Sequence, residues 1–159
     1  MTYFFKIMPS PVGKLKLVAR NKGLVAILWE NDNPKRVKLT ELKEEIKHPL
    51  LMAAEEQLQN YFAKKLSKFS LPLDMHGTLF QQAVWQALLT IPFGETRSYA
   101  QIAIQIGNPK AVRAVGAANG KNPLSIIVPC HRVIGSNGSL TGFAGGLEIK
   151  TILLNLESV

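Results

Sequence analysis

The residue pattern changes near residue 75, and this change constrains the fold more than any other feature of the chain. Before it, short runs rich in β-branched and aromatic residues alternate with turn signals. After it, amphipathic patterns open with helix-capping sequences. A chain of 159 residues can form one domain of ordinary size or two small ones. We therefore predict an α/β (α+β) protein with one domain over residues 1–75 and another over 76–159.

The first domain is predicted to be a small antiparallel sheet followed by a helix. Three strand-like runs, with a turn signal at Arg20–Gly23, form a meander: Tyr3–Met8, Lys14–Arg20 and Leu24–Trp29. Pro49 can open a helix that runs to about Lys64. Its apolar stripe comprises Met52, Leu58, Tyr61 and Phe62. We expect a short helix or a loop at Lys35–Lys47. The domain contains no catalytic constellation, so we expect it to act mainly as a scaffold.

The second domain is predicted to be mostly helical and winged-helix-like. Two capping boxes, Thr78–Gln81 and Ser98–Gln101, each mark the start of a helix. The first of these helices has an apolar face made of Leu79, Phe80, Ala83, Val84, Ala87 and Leu88. The second stops at Gly107, after which Asn108 can cap a third helix with Pro109 at its first position. Two short helices joined by a tight turn match a helix-turn-helix, although a helical hairpin within a core has the same pattern.

The third helix, which runs to about Asn119, favours the helix-turn-helix. Its inward face is mildly apolar and consists of Ala111, Val115 and Ala118. Another face is almost bare apart from Arg113, since its other members are Gly116, Ala117 and Gly120. A bare face lets the helix backbone approach a DNA groove closely, and a single long cation can then reach past the surface. Close packing against a second helix would use the same face.

The charge distribution also indicates a polyanionic partner. The formal net charge is +8 and the sequence pI is about 9.8. No acidic residue occurs between Glu95 and Glu148, whereas the same window contains Arg97, Lys110, Arg113, Lys121 and Arg132. Because a carboxylate would repel the phosphate backbone, a long stretch without one suits a surface that faces DNA.

Several classes of protein are excluded by composition. The longest apolar runs are too short to span a bilayer, and the N-terminus lacks the order of a signal peptide, so we expect a cytoplasmic protein without a membrane partner. A single cysteine excludes an internal disulfide and a multi-thiolate metal site. Since His48, His76 and His131 are widely spaced, we predict no metal site.

The single cysteine, Cys130, is the candidate reactive residue. Leu124–Val128 is predicted to be a buried strand, with Cys130 just past its end. A lone cysteine is usually a small buried hydrophobe. The adjacent His131 and nearby basic residues nevertheless favour the thiolate, which is the nucleophilic form. Because neighbours in an extended chain point to opposite sides, a water or a sharp turn must connect Cys130 and His131.

The segment Pro129–Val133, preceded by Asn122 and Pro123, resembles the active-site segment of the O6-alkylguanine-DNA alkyltransferases, also called methylated-DNA–protein-cysteine methyltransferases. The resemblance covers about residues 77–157, whereas the first 75 residues are similar only in the order of their predicted elements. Other residues that carry it are Phe80, Val84, Trp85, Ala87, Leu88, Ile91, Pro92, Gly94, Glu95, Thr96, Ser98, Tyr99, Ile102, Ala103, those at 107–116, and Gly145, Gly146 and Leu147.

The resemblance implies direct-reversal DNA repair, in which an alkyl group moves irreversibly from guanine O6 to the protein in a single turnover. It implies that Cys130 is the alkyl acceptor and that His131 is a water-mediated general base. Glu157, near the end of the last predicted helix, would orient and charge-balance His131. Asn122 would hold the loop that precedes the active-site strand. No cofactor is expected, because the cysteine itself is the reagent.

The resemblance also implies how the DNA is held. The partner would be double-stranded DNA containing O6-alkylguanine, bound through its minor groove by a monomer. Arg113 would replace the flipped guanine in the stack, and Tyr99 would help to rotate the nucleotide. The small residues beside the arginine, Ala114, Gly116 and Ala117, would line the same DNA-binding face.

Two further residues are implied in recognition of the base. The backbone carbonyls of Cys130 and Val133 would read the exocyclic amine of guanine. Phe143 stands where some family members carry tyrosine, so a hydroxyl contact to the base is not expected there. Arg132 is either a phosphate contact or an internal anchor, and we favour the anchor.

Three alternatives come from other classes. A non-catalytic protein that binds alkylated DNA would have a similar sequence, but such relatives lack the acceptor cysteine. A cysteine hydrolase would need a partner histidine, for which only His48 and His76 remain. A helix-turn-helix regulator would present several polar side chains to the major groove, and the third helix has almost none.

Overall fold

The computed structural model describes residues 2–140 and 142–158. It consists of two compact units, Met1–Met75 and His76–Val159. The first unit is a small sheet with one helix, and the second is mostly helical, which confirms the predicted α+β class. Within the described residues, no helix is long and apolar enough to cross a membrane.

The sheet of the first unit has four strands in the order β3-β2-β1-β4. They are β1 (Tyr3–Met8), β2 (Leu15–Arg20), β3 (Gly23–Leu28) and β4 (Leu42–Glu44). The first three form the predicted antiparallel meander. The fourth corrects the expectation of a short helix or a loop at Lys35–Lys47 in three residues, where it pairs parallel to β1, and the rest of that segment is a loop. Its three residues are all exposed, so it is stabilised by backbone pairing and leaves no hydrophobic alternation in the sequence.

One helix, α1 (Pro49–Phe62), packs in the same unit. Proline occupies its start as predicted, and the preceding His48 accepts a hydrogen bond from the Leu50 N–H through Nδ1. Leu58 and Tyr61 are buried as expected. Met52, by contrast, is half exposed, and Leu51 and Ala54 complete the buried stripe in its place. The prediction of Met52 in the apolar stripe was therefore wrong, because the neighbouring Leu51 takes the buried position on the helix.

A bidentate ion pair closes the loop after β3. The Arg36 guanidinium donates to both carboxylate oxygens of Asp32, from Nε at 2.8 Å and from Nη2 at 2.6 Å. Asp32 also accepts from the Trp29 N–H, and both charged side chains are less than one tenth exposed. Two parallel bonds in a buried setting make this pair stronger than an exposed one.

Replacing Arg36 by methionine is expected to lower the free energy of unfolding by about 3 kcal/mol, because it leaves the Asp32 carboxylate buried without its counter-ion. Urea unfolding measures this change. The control is Lys35→Met, at the exposed neighbouring position, for which we expect almost no loss. Equal stability of the two variants would contradict the assignment.

The second unit contains four α-helices in its described part: α2 (Leu79–Leu88), α3 (Tyr99–Gln105), α4 (Val112–Gly120) and α5 (Leu147–Glu157). Two short strands, β5 (Arg97–Ser98) and β6 (Val133–Ile134), pair in parallel. Cys130–Arg132 forms a 3₁₀ turn immediately before β6. The strand pair therefore ties the start of α3 to the chain that leaves Cys130.

Both predicted capping boxes are present. Thr78 Oγ1 accepts from the Gln81 N–H, and the Gln81 side chain accepts from the Thr78 N–H; Ser98 and Gln101 make the same reciprocal bonds. The predicted apolar face of α2 was partly wrong, because Leu79 is 89% exposed and Ala83 is exposed as well. Trp85 lies on the buried face instead, and its Nε1–H donates to the Ala118 carbonyl at 2.9 Å.

The helix α4 begins three residues later than predicted. Asn108 and Pro109 belong to a turn, closed by the hydrogen bond from the Ala111 N–H to the Asn108 carbonyl. Ala111 is the N-cap and makes no side-chain capping bond. Gly107, at φ +80°, ends the preceding helix as expected. The turn and the capping motif use the same residue types, so the sequence could not distinguish them.

Candidate active site and DNA-facing helix

The chain approaches Cys130 through a buried loop, which corrects the prediction of a strand at Leu124–Val128. Short hydrogen bonds fold it back on itself, from the Ile127 N–H to Ser125 and from the Val128 N–H to Leu124, both at 2.9 Å. Ile126 adopts φ +75°, a left-handed conformation that is unfavourable for a β-branched residue. The Ile126 side chain is buried, so the packing around it holds a backbone conformation that is intrinsically strained.

Asn122 fastens both sides of this loop. Its Oδ1 accepts from the Leu124 N–H at 3.0 Å, and its Nδ2 donates to the Val128 carbonyl at 2.8 Å. The residue is buried, so these bonds are protected from water. This arrangement agrees with the loop-holding position that the sequence suggested for it.

Cys130 opens the 3₁₀ turn rather than following a strand. The first hydrogen bond of the turn runs from the Arg132 N–H to the Pro129 carbonyl at 3.0 Å. Cys130 is 4% exposed, and His131 and Arg132 are also buried. The extended geometry that was assumed for Cys130 and His131 does not apply here, because both residues lie in the 3₁₀ turn.

A buried charge cluster surrounds the carboxylate of Glu157. His131 Nε2 lies 2.6 Å from Oε2, and Arg132 binds the same carboxylate from Nε at 2.7 Å and from Nη2 at 3.0 Å. The remaining guanidinium nitrogen donates to the Ile91 carbonyl at 2.7 Å. Arg132 is therefore an internal anchor, as predicted. Its positive charge offsets the cost of a carboxylate in the last turn of α5.

Burial lowers the pKa of His131 below its ordinary value of 6.5, although the hydrogen bond and charge of Glu157 oppose this shift. The neutral imidazole is therefore favoured. A neutral ring with Nε2 beside a carboxylate donates from that nitrogen, so its lone pair lies on Nδ1. Nδ1 is buried and makes no hydrogen bond within the described part of the chain. Nδ1 is therefore the nitrogen of the ring that can accept a proton.

The shift in His131 predicts a pH dependence of stability. Below pH 6.5 the unfolded chain binds a proton at His131 before the folded chain does, so unfolding takes up a proton. The free energy of unfolding should therefore fall as the pH decreases from 6.5 towards the lower pKa of the folded state. Above pH 6.5 this contribution is fully retained. Urea unfolding across this range measures the slope, which His131→Gln should reduce and the exposed His76→Gln should not. Equal slopes for wild type and His131→Gln would refute the assignment.

Lys150 was not predicted as a site residue. It is completely buried on α5, and its Nζ donates to the Val133 carbonyl at 2.6 Å. Burial lowers its pKa, whereas interaction with Cys130 raises it. The Nζ atom also lies 5.9 Å from the centroid of the half-buried Phe143 ring. A lysine in phase with Leu153 and Glu157 on the inward face of the helix was the available signal.

The helix that the sequence predicted to face DNA is α4, which follows α3 after a short turn. Arg113, Ala114 and Ala117 are exposed on it. A Cβ added to Gly116 would lie 3.9 Å from the ring of the half-buried Tyr99, at the start of α3. The inward face buries Val115, Ala118 and Asn119. The bare exposed face that the sequence indicated is therefore present, and it is joined to the site because Asn119 Nδ2 donates to the Cys130 carbonyl at 3.4 Å.

Comparisons with known proteins agree with this geometry over both units. The model of the 6-O-methylguanine DNA methyltransferase DNA-binding domain matches residues 79–159, and that of the ribonuclease-like domain of the same proteins matches residues 3–75. The chain belongs to the 6-O-methylguanine DNA methyltransferase family. This finding confirms the resemblance inferred from the sequence.

Similar members of the 6-O-methylguanine DNA methyltransferase family are named methylated-DNA–protein-cysteine methyltransferases. The protein of Methanosarcina barkeri is 48% identical over 154 residues, which cover 97% of this chain and 96% of that protein. The constitutive enzyme of Bacillus subtilis is 48% identical over 161 residues, covering 98% and 96%. The crystal structure of Mycobacterium tuberculosis OGT in complex with DNA has a TM-score of 0.89 at 47% identity, covering 99% of this chain and 92% of that one.

The activity follows from this membership. The chain is a DNA-repair enzyme that transfers an alkyl group from damaged DNA to a protein cysteine. This finding excludes the three alternative hypotheses, namely a non-catalytic lesion-binding protein, a cysteine hydrolase and a helix-turn-helix regulator. In the part of the chain that the structure describes, no group of three or more histidine, cysteine or acidic residues could hold a metal ion.

Proposed function

We propose that Cys130 is the acceptor, and that each protein molecule accepts one alkyl group from O6-alkylguanine. The observation that carries this proposal is the position of the sole cysteine. Cys130 lies in a buried turn directly before His131, and His131 is hydrogen-bonded to Glu157. Since a thioether has no easy reverse reaction, the protein is consumed in the process.

The proposed chemistry uses Nδ1 of His131 as the base. Through a bridging water, Nδ1 takes the proton of the Cys130 thiol, and the Glu157 carboxylate stabilises the resulting imidazolium. The thiolate attacks the alkyl carbon; a sulfur–carbon bond forms while the carbon–O6 bond breaks. The departing guanine takes up the proton that the His131 imidazolium gives back, so both the imidazole and the guanine leave the reaction neutral. Asn122 contributes by holding the loop from which Cys130 is presented.

For DNA binding we propose that α4 enters the minor groove with its bare face. Ala114, Gly116 and Ala117 allow the backbone to approach, and Arg113 fills the space of the extruded nucleotide. Extrusion is needed because the O6 atom is inaccessible within a duplex. Tyr99 adjoins Gly116 and is proposed to steer the nucleotide as it rotates.

Recognition of the base is assigned to the carbonyl groups of Cys130 and Val133, which would accept hydrogen bonds from the exocyclic amine. Phe143 would contribute apolar contact only, since phenylalanine has no hydroxyl group. We further propose that the protein acts as a monomer without a cofactor, and that residues 1–75 form a scaffold domain for the alkyltransferase domain at 76–159.

Intact-protein mass spectrometry tests this function. The full-length protein is incubated with duplex DNA that carries one O6-methylguanine, beside the same duplex with unmodified guanine. We expect a single added methyl group that saturates at one per protein and maps to Cys130. Cys130→Ser should remain unmodified. Tight binding of the lesion without any change in mass would refute the proposed transfer.

A further inference from the structure

Lys150 is the one lysine that is fully buried in the described residues. Burial of an ammonium group is unfavourable unless it is compensated, and methionine or leucine at this position would pack beside Leu153 without that cost. One bond that compensates this burial runs from Lys150 Nζ to the Val133 carbonyl and is short, at 2.6 Å. The residue thus binds the backbone three positions after the candidate acceptor cysteine.

The two carbonyl groups assigned to base recognition differ in how they are held. The Cys130 carbonyl accepts from the Val133 N–H, which closes the 3₁₀ turn, and weakly from Asn119 Nδ2 at 3.4 Å. The Val133 carbonyl accepts from the Lys150 ammonium. A carbonyl oxygen has two lone pairs, so a donor fixed on one of them sets the direction in which the other can accept.

We propose that Lys150 is a positioning residue for base recognition, which fixes the Val133 carbonyl in the direction that accepts a hydrogen bond from the 2-amino group of the alkylated guanine. This inference rests on the proposed function, because it needs the lesion to be bound beside Cys130.

The test compares two substrates that differ in the amine alone. Duplexes carrying O6-methylguanine or O6-methylhypoxanthine, which lacks the 2-amino group, are offered to wild type and to Lys150→Met. Single-turnover rates are measured at subsaturating protein. For wild type we expect the loss of the amine to slow transfer about tenfold, in keeping with one well-placed hydrogen bond. For Lys150→Met we expect this ratio to fall below about twofold.

Control variants separate positioning from general damage. Lys121→Met, at an exposed lysine of the same unit, should keep the wild-type ratio even if it binds DNA more weakly. Lys150→Arg, which retains a charged donor, should keep most of the difference in rate between the two substrates. Should the Met variant fail to fold by circular dichroism, Lys150→Leu provides the same comparison, since leucine also has no hydrogen-bond donor for the Val133 carbonyl.

An amine dependence equal to that of wild type in folded Lys150→Met or Lys150→Leu overturns the inference, however slow the variant is. That outcome leaves the proposed function intact. The failure of wild type to methylate Cys130 with O6-methylguanine would instead remove the proposed function itself, so the two failures are distinguishable.

Discussion

Replacing Glu157 by glutamine is expected to slow methyl transfer roughly 100-fold and to lower the free energy of unfolding by about 3 kcal/mol. The carboxylate is 1% exposed and accepts from both His131 and Arg132. A neutral amide leaves the guanidinium buried without a counter-ion, and it places an N–H donor against one of two existing donors. It also removes the charge that would stabilise a protonated His131 during deprotonation of the thiol.

The two effects are measured separately. Denaturant unfolding gives the stability, and single-turnover transfer is followed at a temperature where the variant is folded. The matched control is Glu148→Gln, which replaces an exposed carboxylate in the first turn of the same helix. We expect it to lower the free energy of unfolding by only a few tenths of a kcal/mol and to leave the transfer rate unchanged. A Glu157→Gln protein that transfers at the wild-type rate would falsify the proposed role of the carboxylate.

Replacing Arg113 by alanine should reduce transfer from duplex DNA on the order of 100-fold, because extrusion of a base costs a few kcal/mol and an inserted side chain offsets part of it. The same lesion in single-stranded DNA needs no such replacement in the stack. The variant should therefore react with single-stranded DNA at close to the wild-type rate. Since Arg113 is exposed on α4, little loss of stability is expected.

A second variant separates insertion from simple attraction to phosphate. Lys110→Ala, in the turn before α4, should weaken binding to any sequence and reduce the salt dependence of binding by about one counter-ion. It should leave the ratio of duplex to single-strand rates unchanged. If Arg113→Ala behaves in the same way, the arginine is a phosphate contact and the insertion role is wrong.

The parts of the fold that could be predicted are those in which a local signal and the tertiary environment agree. The capping boxes at Thr78 and Ser98 need only two residues of one turn, and both form. Errors arose where the same residues serve two structures. The sequence Asn108-Pro109 begins a turn as readily as a helix, and Leu79 follows the helical period although nothing covers it. β4 has no apolar period because its pairing is carried by the backbone.

The candidate site was predictable in its membership and less so in its geometry. The resemblance supplied Cys130, His131 and Glu157, and the structure brings the last two within hydrogen-bond distance across 26 residues of sequence. The strand expected before Cys130 was wrong, because a run of buried aliphatic residues does not distinguish a strand from a tight loop, and Ile126 turns the chain back. The roles of these residues in transfer stay predictions. Lys150 was not predicted as a site residue, because its helical phase with Leu153 and Glu157 was not used.

The chain carries two tryptophans, and each unit contains one of them, Trp29 in the first and Trp85 in the second. A single substitution therefore assigns the intrinsic tryptophan fluorescence to one unit. In Trp29→Phe, Trp85 is the remaining tryptophan, and it lies in the second unit. Because the indole of Trp85 is hydrogen-bonded to the Ala118 carbonyl, that emitter is attached to the buried side of α4. Its emission would then report displacement of α4, the helix proposed to enter the groove, during a binding titration, without an added dye.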